Sequence, residues 1–151
     1  MYYLYFTGQL LLAIILGGVL GWQRVAVGKK AGPRTYALVS VGSALFTILS
    51  IHGFGGDATT SRVAAQIVTG IGFLGVGVIV HQQHRGEKIV VGLTTAAGLW
   101  AVAALGMAIG AGWIWESIIA SFLMLLVLLF NENKFVDKKS KSKVQSQKFI
   151  K

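Results

Sequence analysis

Apolar residues fall into five runs along the chain, each close to the roughly 20 residues that a helix needs to cross the hydrocarbon core of a bilayer. None of the runs carries Lys, Arg, Asp or Glu in its middle, where a charge would be costly. We therefore predict an all-α fold, a polytopic bundle of about five transmembrane helices. The predicted spans are Leu4–Gly21, Thr35–Ile51, Val63–Val80, Gly92–Gly110 and Trp113–Phe130.

Composition supports a membrane location for nearly the whole chain. Of the 151 residues, 54% are hydrophobic and only 13% are charged, and the mean hydropathy is +0.69. A soluble domain of this size would need more polar surface to face water. We divide the chain into a transmembrane domain, residues 1–130, and a basic tail, residues 131–151, whose composition predicts disorder.

Lys and Arg are concentrated in alternate connections between the predicted spans. The first connection, the third connection and the tail hold thirteen of the 14 basic residues, whereas the second connection holds only Arg62. Because cytoplasmic segments are enriched in Lys and Arg, we predict an amino terminus outside the cell and a cytoplasmic tail. The net charge of +9 is thereby assigned to topology and anionic lipid rather than to nucleic acid.

Glycines recur within the predicted spans at spacings that suit close helix packing. The stretch Gly70–Gly75 matches the dinucleotide-binding fingerprint as text, but it lies inside an apolar span rather than between a strand and a helix, so we reject that interpretation. Small residues let membrane helices approach closely; the alternative is a broken helix that lines a site. The predicted packing glycines are Gly17, Gly21, Gly70, Gly72, Gly75 and Gly77.

Polar residues near the ends of the spans form two candidate clusters, which the predicted topology separates. We select the inner cluster as the functional candidate, although its arginines alternatively anchor the chain at the membrane surface by reaching lipid phosphate. For the outer cluster, the alternative is capping of the third helix. The inner cluster comprises Gln23, Arg24, Arg34, Thr94 and Thr95. The outer cluster comprises Asp57, Arg62 and Gln66.

The sequence offers no evident residue set for catalysis or for a cofactor. It contains no Cys, which excludes disulfides and thiolate metal sites. His81 and His84 have the spacing of neighbours on a helix, but Glu87 is the only acid near them, and His52 falls on the other side of the predicted membrane. We therefore expect no metal site, no cofactor and no enzymatic activity.

Taken in order, the motifs resemble those of the MgtC/SapB family of bacterial inner-membrane proteins, over about Leu10 to Phe130. The resemblance depends on the order and spacing of several blocks rather than on any one of them. The blocks are Gly17–Arg24, Ala31–Thr35, Arg62–Gln66, Gly70–Gly77 and Gly92–Ala97 with Trp100.

Two departures limit what the resemblance implies. The family's first span usually ends in Glu-Arg, whereas this chain has Gln23-Arg24, so a role that requires a carboxylate there is not carried over. Many members also have a soluble C-terminal domain, and functions attributed to that domain are not carried over either.

The resemblance implies a multi-pass inner-membrane protein associated with growth at low magnesium, acid tolerance and survival inside host cells. It implies regulation of other membrane proteins, including the proton-translocating ATP synthase, with lipid, other membrane proteins and further copies of the chain as expected partners. The alternative is a transporter or channel for magnesium or another ion. Magnesium prefers carboxylate and water oxygens, and none of the five acidic residues lies centrally in a span. We therefore favour regulation by helix–helix contact.

Overall fold

The computed structural model describes residues 1–53, 57–84 and 87–129, with the side chains of residues 57–60, 80–84 and 87–89 excepted. Within these ranges the chain forms five helices and one two-stranded hairpin. The helices are α1 (Tyr2–Ala26), α2 (Pro33–His52), α3 (Asp57–Val78), α4 (Leu93–Gly110) and α5 (Ile114–Leu129), and the strands are β1 (Val80–His84) and β2 (Glu87–Val91). The predicted disordered tail, residues 131–151, lies outside the described residues.

The prediction of a polytopic helical membrane protein is confirmed. Helices α1 to α4 are each long and apolar enough to cross a membrane. Helix α5 is also apolar, and its 16 residues span about 24 Å at the helical rise. The orientation of the bundle stays a prediction, because helix length and composition do not distinguish the two sides of a membrane.

The third connection differs from the loop that the sequence predicts. The run Val63–Val80 was predicted as a helix throughout, but α3 ends at Val78 and Val80 begins β1. Strand β1 pairs with β2 in antiparallel register, with Val80 opposite Val91 and His84 opposite Glu87. The β-branched residues Val90 and Val91 favour this extended conformation, whereas the polar residues of β1 give no apolar alternation from which to predict a strand.

Helix α4 lies at the centre of the bundle and packs against the other four helices. Its side chains Leu99, Val102, Leu105 and Ile109 are each at most 2% exposed. They join Tyr36 of α2 and other buried residues in one apolar core. The core therefore lies between α1, α2 and α4, with α3 and α5 at its edges.

Glycines bring the central helices into backbone contact. A Cβ atom on Gly17 would lie 2.8 Å from the Ser40 Cβ, and one on Gly21 would lie 2.6 Å from the Cα of Pro33. On α4, Gly106 and Gly110 meet the α2 backbone in the same way at Ser40 and Ala44. Side chains at these positions would force the helices apart.

Helix α3 is the least enclosed of the four long helices. Among its described side chains, residues 61–78, only Ile71 is buried. The helix contacts α4 and, less extensively, α2. One side of α3 is therefore left without a partner in the described part of the chain.

Candidate functional site

Arg24, from the last turn of α1, is buried in the interior of the bundle. The residue is only 2% exposed, although it lies beyond the end of the predicted first span. Its guanidinium interacts with the hydroxyl of Tyr36, which is completely buried in the first turn of α2. This position contradicts the surface-anchoring alternative for Arg24, because a side chain that reaches lipid phosphate would be exposed.

Tyr36 connects Arg24 to the start of α4. Its hydroxyl donates a long hydrogen bond of 3.4 Å to the backbone carbonyl of Thr95, which is itself buried. The ring fits because Gly98 follows on the next turn, where a Cβ atom would collide with the Tyr36 hydroxyl. The helices α1, α2 and α4 thus meet at one polar contact, which we call the arginine–tyrosine site: Arg24, Tyr36 and Thr95.

The arginine–tyrosine site has unused donors. The Nε and Nη2 atoms of Arg24 are buried and make no hydrogen bond to the described part of the chain, and no described carboxylate pairs with the guanidinium. Ser40, one turn beyond Tyr36, also has a buried hydroxyl without a partner among those residues. An anion or a carbonyl oxygen is the group that could accept hydrogen bonds from these donors.

Gln23 faces away from this site and holds α5 instead. Its Nε2 atom donates a 2.7 Å hydrogen bond to the carbonyl of Leu128, in the last turn of α5. An ionised carboxylate has no hydrogen to donate. The glutamine at this position therefore makes a contact that a glutamate could make only when protonated.

The structure separates the remaining members of the inner cluster. Arg34 is exposed in the first turn of α2, so it does not join the buried arginine. Thr94 is half-buried at the start of α4, next to Thr95. Tyr36, which belongs to neither predicted cluster, is the residue that links Arg24 and Thr95. Its only signal in the sequence is that it is a lone tyrosine within an apolar run.

The outer cluster borders an open groove between α2 and α3. The groove has a volume of about 1010 Å³ and is mostly apolar. Arg62 and Gln66 line it from α3, and both are exposed. The side chain of Asp57 is among those not described, so its predicted association with Arg62 and Gln66 stays a prediction.

The predicted packing glycines fall into two groups. Gly17 lies against the middle of α2 and Gly21 lies against its first residues, as described above. On α3, a Cβ atom on Gly70, Gly72 or Gly77 would meet nothing within 4 Å, and one on Gly75 would make an ordinary 3.7 Å contact with Ala96. Close packing at Gly70, Gly72 and Gly77 is therefore not made with the described part of the chain and stays a prediction for contact with another protein.

The histidines do not come together. His52, at the end of α2, lies edge-on to the ring of Tyr2, with ring centroids 6.1 Å apart. His81 and His84 lie on β1, at the opposite end of α3, and their side chains are outside the described part. Among the described residues, no three His, Cys, Asp or Glu side chains are grouped to hold a metal ion.

Comparison with known proteins places this arrangement in a family. The model of the MgtC family matches residues 10–134. YhiD of Escherichia coli K12, described as a candidate magnesium transporter, is 45% identical over 131 residues, which cover 82% of this chain and 59% of YhiD. Protein SrpB of Synechococcus elongatus is 41% identical over 130 residues, which cover 80% of this chain and 71% of SrpB.

Protein MgtC of Brucella abortus is 44% identical over 115 residues, which cover 76% of this chain and 46% of that protein. The chain thus spans 59% of YhiD and about half of the Brucella protein. No solved structure matches it. Together with the helical bundle, the family match over residues 10–134 shows that this chain is a membrane protein that belongs to the MgtC family.

Proposed function

We propose that this chain is a non-enzymatic protein of the bacterial inner membrane that regulates other membrane proteins by helix–helix contact. The conditions in which it acts are magnesium limitation, acid stress or related adaptation. Its partners are the lipid bilayer, other membrane proteins and further copies of itself, and it needs no cofactor. Family membership supports the setting, and the geometry of α3 supports the mode of action.

The observation that carries the proposal is the unpartnered side of α3. Gly70 and Gly77, seven residues apart on one face of the helix, leave open space beside the helix backbone, and small residues are what membrane helices use for close contact. Gln66 adds an exposed amide on the same helix. A polar group at membrane depth is stabilised by protein rather than by lipid tails, so this side of α3 suits a protein partner.

The arginine–tyrosine site is the proposed internal part of this device. A buried charge with unused donors is costly, and such a charge persists where its position serves a role other than stability. It links three helices at one point, so a change in its hydrogen bonding alters how α1, α2 and α4 pack. We propose that this site sets the arrangement that the contact surface presents.

Magnesium transport is the second candidate, and the name of YhiD favours it. A transport pathway for a hard divalent cation uses carboxylates or ordered carbonyls that line a polar path. The large groove is instead mostly apolar and is bordered by the cation Arg62. A positive charge at the mouth repels a divalent cation, so the groove supports contact better than it supports transport.

Complementation of a bacterial strain that lacks its own member of the family distinguishes the two candidate functions, regulation and magnesium transport. Growth in low-magnesium medium and the rate of magnesium uptake are measured in the same cultures. A regulator restores growth with uptake unchanged, whereas a transporter restores growth and raises uptake. The proposal fails if restored growth always accompanies faster magnesium uptake, or if Arg24→Ala leaves both fold and growth intact.

A further inference from the structure

The groove between α2 and α3 is mostly apolar but also contains two polar side chains of α3, with which lipid tails cannot form hydrogen bonds. Its volume, about 1010 Å³, is roughly that of two to three turns of an α-helix with its side chains, taken as a cylinder about 10 Å across. Gly42 of α2 and Gly70 of α3 line its two walls, and a Cβ atom on either would meet nothing within 4 Å. Both walls therefore have room for the backbone or side chains of another helix.

Two polar side chains and a glycine lie along one face of α3 in the groove. Arg62, Gln66 and Gly70 follow one another at intervals of four residues, so they share one face of the helix. Neither Arg62 nor Gln66 makes a hydrogen bond or ion pair with the described part of the chain. An acyl chain would leave the Gln66 amide without a partner, which is unfavourable away from water. The occupant that satisfies both groups needs an acid near Arg62, followed by an apolar helix face.

Helix α5 of the same chain has this pattern on its exposed side. Glu116 lies in its first turn, and Ile119, Leu123 and Val127 follow on the same face; those three side chains are 55–69% exposed. Within one chain, α5 packs on α1 and α4, away from the groove. This face of α5 is thus available to a second molecule.

The directions of the helices are compatible with α5 of a second molecule lying in the groove. Helices α3 and α5 each run antiparallel to α4, so they are parallel to each other, and Arg62 and Glu116 lie near the same end of the bundle. If Arg62 and Glu116 lie side by side, Leu123 and Gly70 also lie side by side along the helix axes. The reason is that Gly70 follows Arg62 by eight residues and Leu123 follows Glu116 by seven. The two oxygens of the Glu116 carboxylate can accept from both the Arg62 guanidinium and the Gln66 amide.

We propose that the groove between α2 and α3 receives α5 of a second copy of this chain, with Glu116 of that copy paired to Arg62. The contact joins two different surfaces, so it produces a ring or an open chain of copies rather than a twofold dimer. This inference rests on the proposed contact function and specifies one of its surfaces and one of its partners.

Cysteine cross-linking tests the contact directly, because the natural chain contains no Cys. The variant with both Gly70→Cys and Leu123→Cys is oxidised in native membranes and separated by size. The expected result is a ladder of dimers, trimers and larger products, whereas an equal mixture of the two single variants gives dimers only. The control pairs Gly70→Cys with Ile15→Cys on the exposed side of α1, where 58% of the side chain is exposed, and it gives no ladder.

Charge reversal then tests the pairing within the double-cysteine background. Arg62→Glu or Glu116→Arg alone lowers the cross-linked yield about tenfold, because each places like charges together. The two reversals combined restore the yield, and Lys30→Glu on an exposed loop leaves it unchanged. Failure of the combined variant to recover overturns the pairing.

Two further outcomes overturn the inference. A folded double-cysteine protein that gives no ladder, or no more than the Ile15 control, excludes this contact. Phospholipid that co-purifies with the natural chain and is lost on Arg62→Glu, in the absence of any ladder, assigns the groove to lipid. The assay is independent of growth at low magnesium: a ladder without restored growth contradicts only the proposed function, and restored growth without a ladder contradicts only this surface.

Discussion

Arg24 is the residue whose environment differs most from what its type and position suggest. A basic side chain at the end of a membrane span usually extends to the lipid headgroups, yet Arg24 turns inward to Tyr36 and is 2% exposed. Burial of a charge without a carboxylate partner costs several kcal/mol. Part of this cost is offset because the cation lies at the negative end of the α1 dipole. We therefore expect Arg24 to contribute to function more than to the stability of the fold.

Replacement of Arg24 separates these roles. Arg24→Met keeps much of the volume and removes the uncompensated charge, so we expect the melting temperature of the detergent-purified protein to stay equal or rise. Growth restoration at low magnesium is expected to be lost, because the contact to Tyr36 is gone. The matched control is Lys30→Met, an exposed cation in the loop that follows α1, which should change neither. A large fall in melting temperature with Arg24→Met would show instead that the guanidinium is fully bonded in the membrane.

At the scale of the elements, two devices on α1 fix the bundle. One is the pair Gly17 and Gly21, which lie against α2 and the residue that precedes it. The other is a pair of glutamines near the two ends of α1: Gln9 donates to the carbonyls of Ile109 and Gly110 at the end of α4, at 2.7 and 3.3 Å, and Gln23 donates to Leu128 at the end of α5. The last carbonyls of a helix have no partner within it. Helix α1 thus joins its neighbours by satisfying their ends.

Adjacent glycines on α1 provide a matched test of the packing. Gly17→Ala places a Cβ atom 2.8 Å from the Tyr36 carbonyl oxygen, and such overpacking costs about 1–3 kcal/mol of unfolding free energy. Gly18→Ala is the control, because its Cβ atom would meet nothing within 4 Å. Thermal unfolding in detergent should show a clear loss for the first variant and none for the second. Equal melting temperatures would contradict the close approach of α1 and α2.

The glutamine contact predicts a separate loss. Gln9→Leu places an apolar side chain of similar size and leaves the Gly110 carbonyl without its donor, while the Ile109 carbonyl keeps only a backbone N–H. We expect a destabilisation of about 1–3 kcal/mol, the usual cost of an unsatisfied buried polar group, measured by thermal or denaturant unfolding. Thr7→Ala serves as control, since its hydroxyl bonds only to Tyr3 in the same exposed turn. No difference between the two variants would contradict a role for Gln9 at the end of α4.

The helices were predictable from the sequence because membrane spans need long apolar runs, and the bounds of α2 and α4 follow those runs closely. The hairpin was not, since β1 contains His81, Gln82, Gln83 and His84 and is formed by pairing with β2 rather than by an apolar pattern of its own. In the candidate site, the sequence indicates Arg24 and Thr95 as members of one polar cluster, and the structure places both in contact with Tyr36; a function for them stays a prediction. Tyr36 was missed because a tyrosine within a span has no spacing signal, and its role depends on the way α1, α2 and α4 fold together.

For the whole molecule, the arrangement is a tight central unit with two less enclosed helices. Helices α1, α2 and α4 approach closely at glycines, whereas α3 and α5 expose apolar faces on different sides. Exposed apolar surface is normal for a protein in lipid, but the groove beside α3 also carries Arg62 and Gln66, which lipid tails do not satisfy. This combination supports a protein that acts through the surfaces it presents to other proteins rather than through an internal path for ions.

The most direct test of that account is magnesium flux into liposomes that contain the purified, folded protein. Empty liposomes and liposomes with an established magnesium carrier are the controls, and uptake is followed with a trapped magnesium-sensitive dye. Regulation by contact predicts uptake no faster than in empty liposomes, while the carrier control is active. Saturable uptake that disappears with Arg24→Ala, in a variant that remains folded, would contradict the account and identify the protein as a transporter.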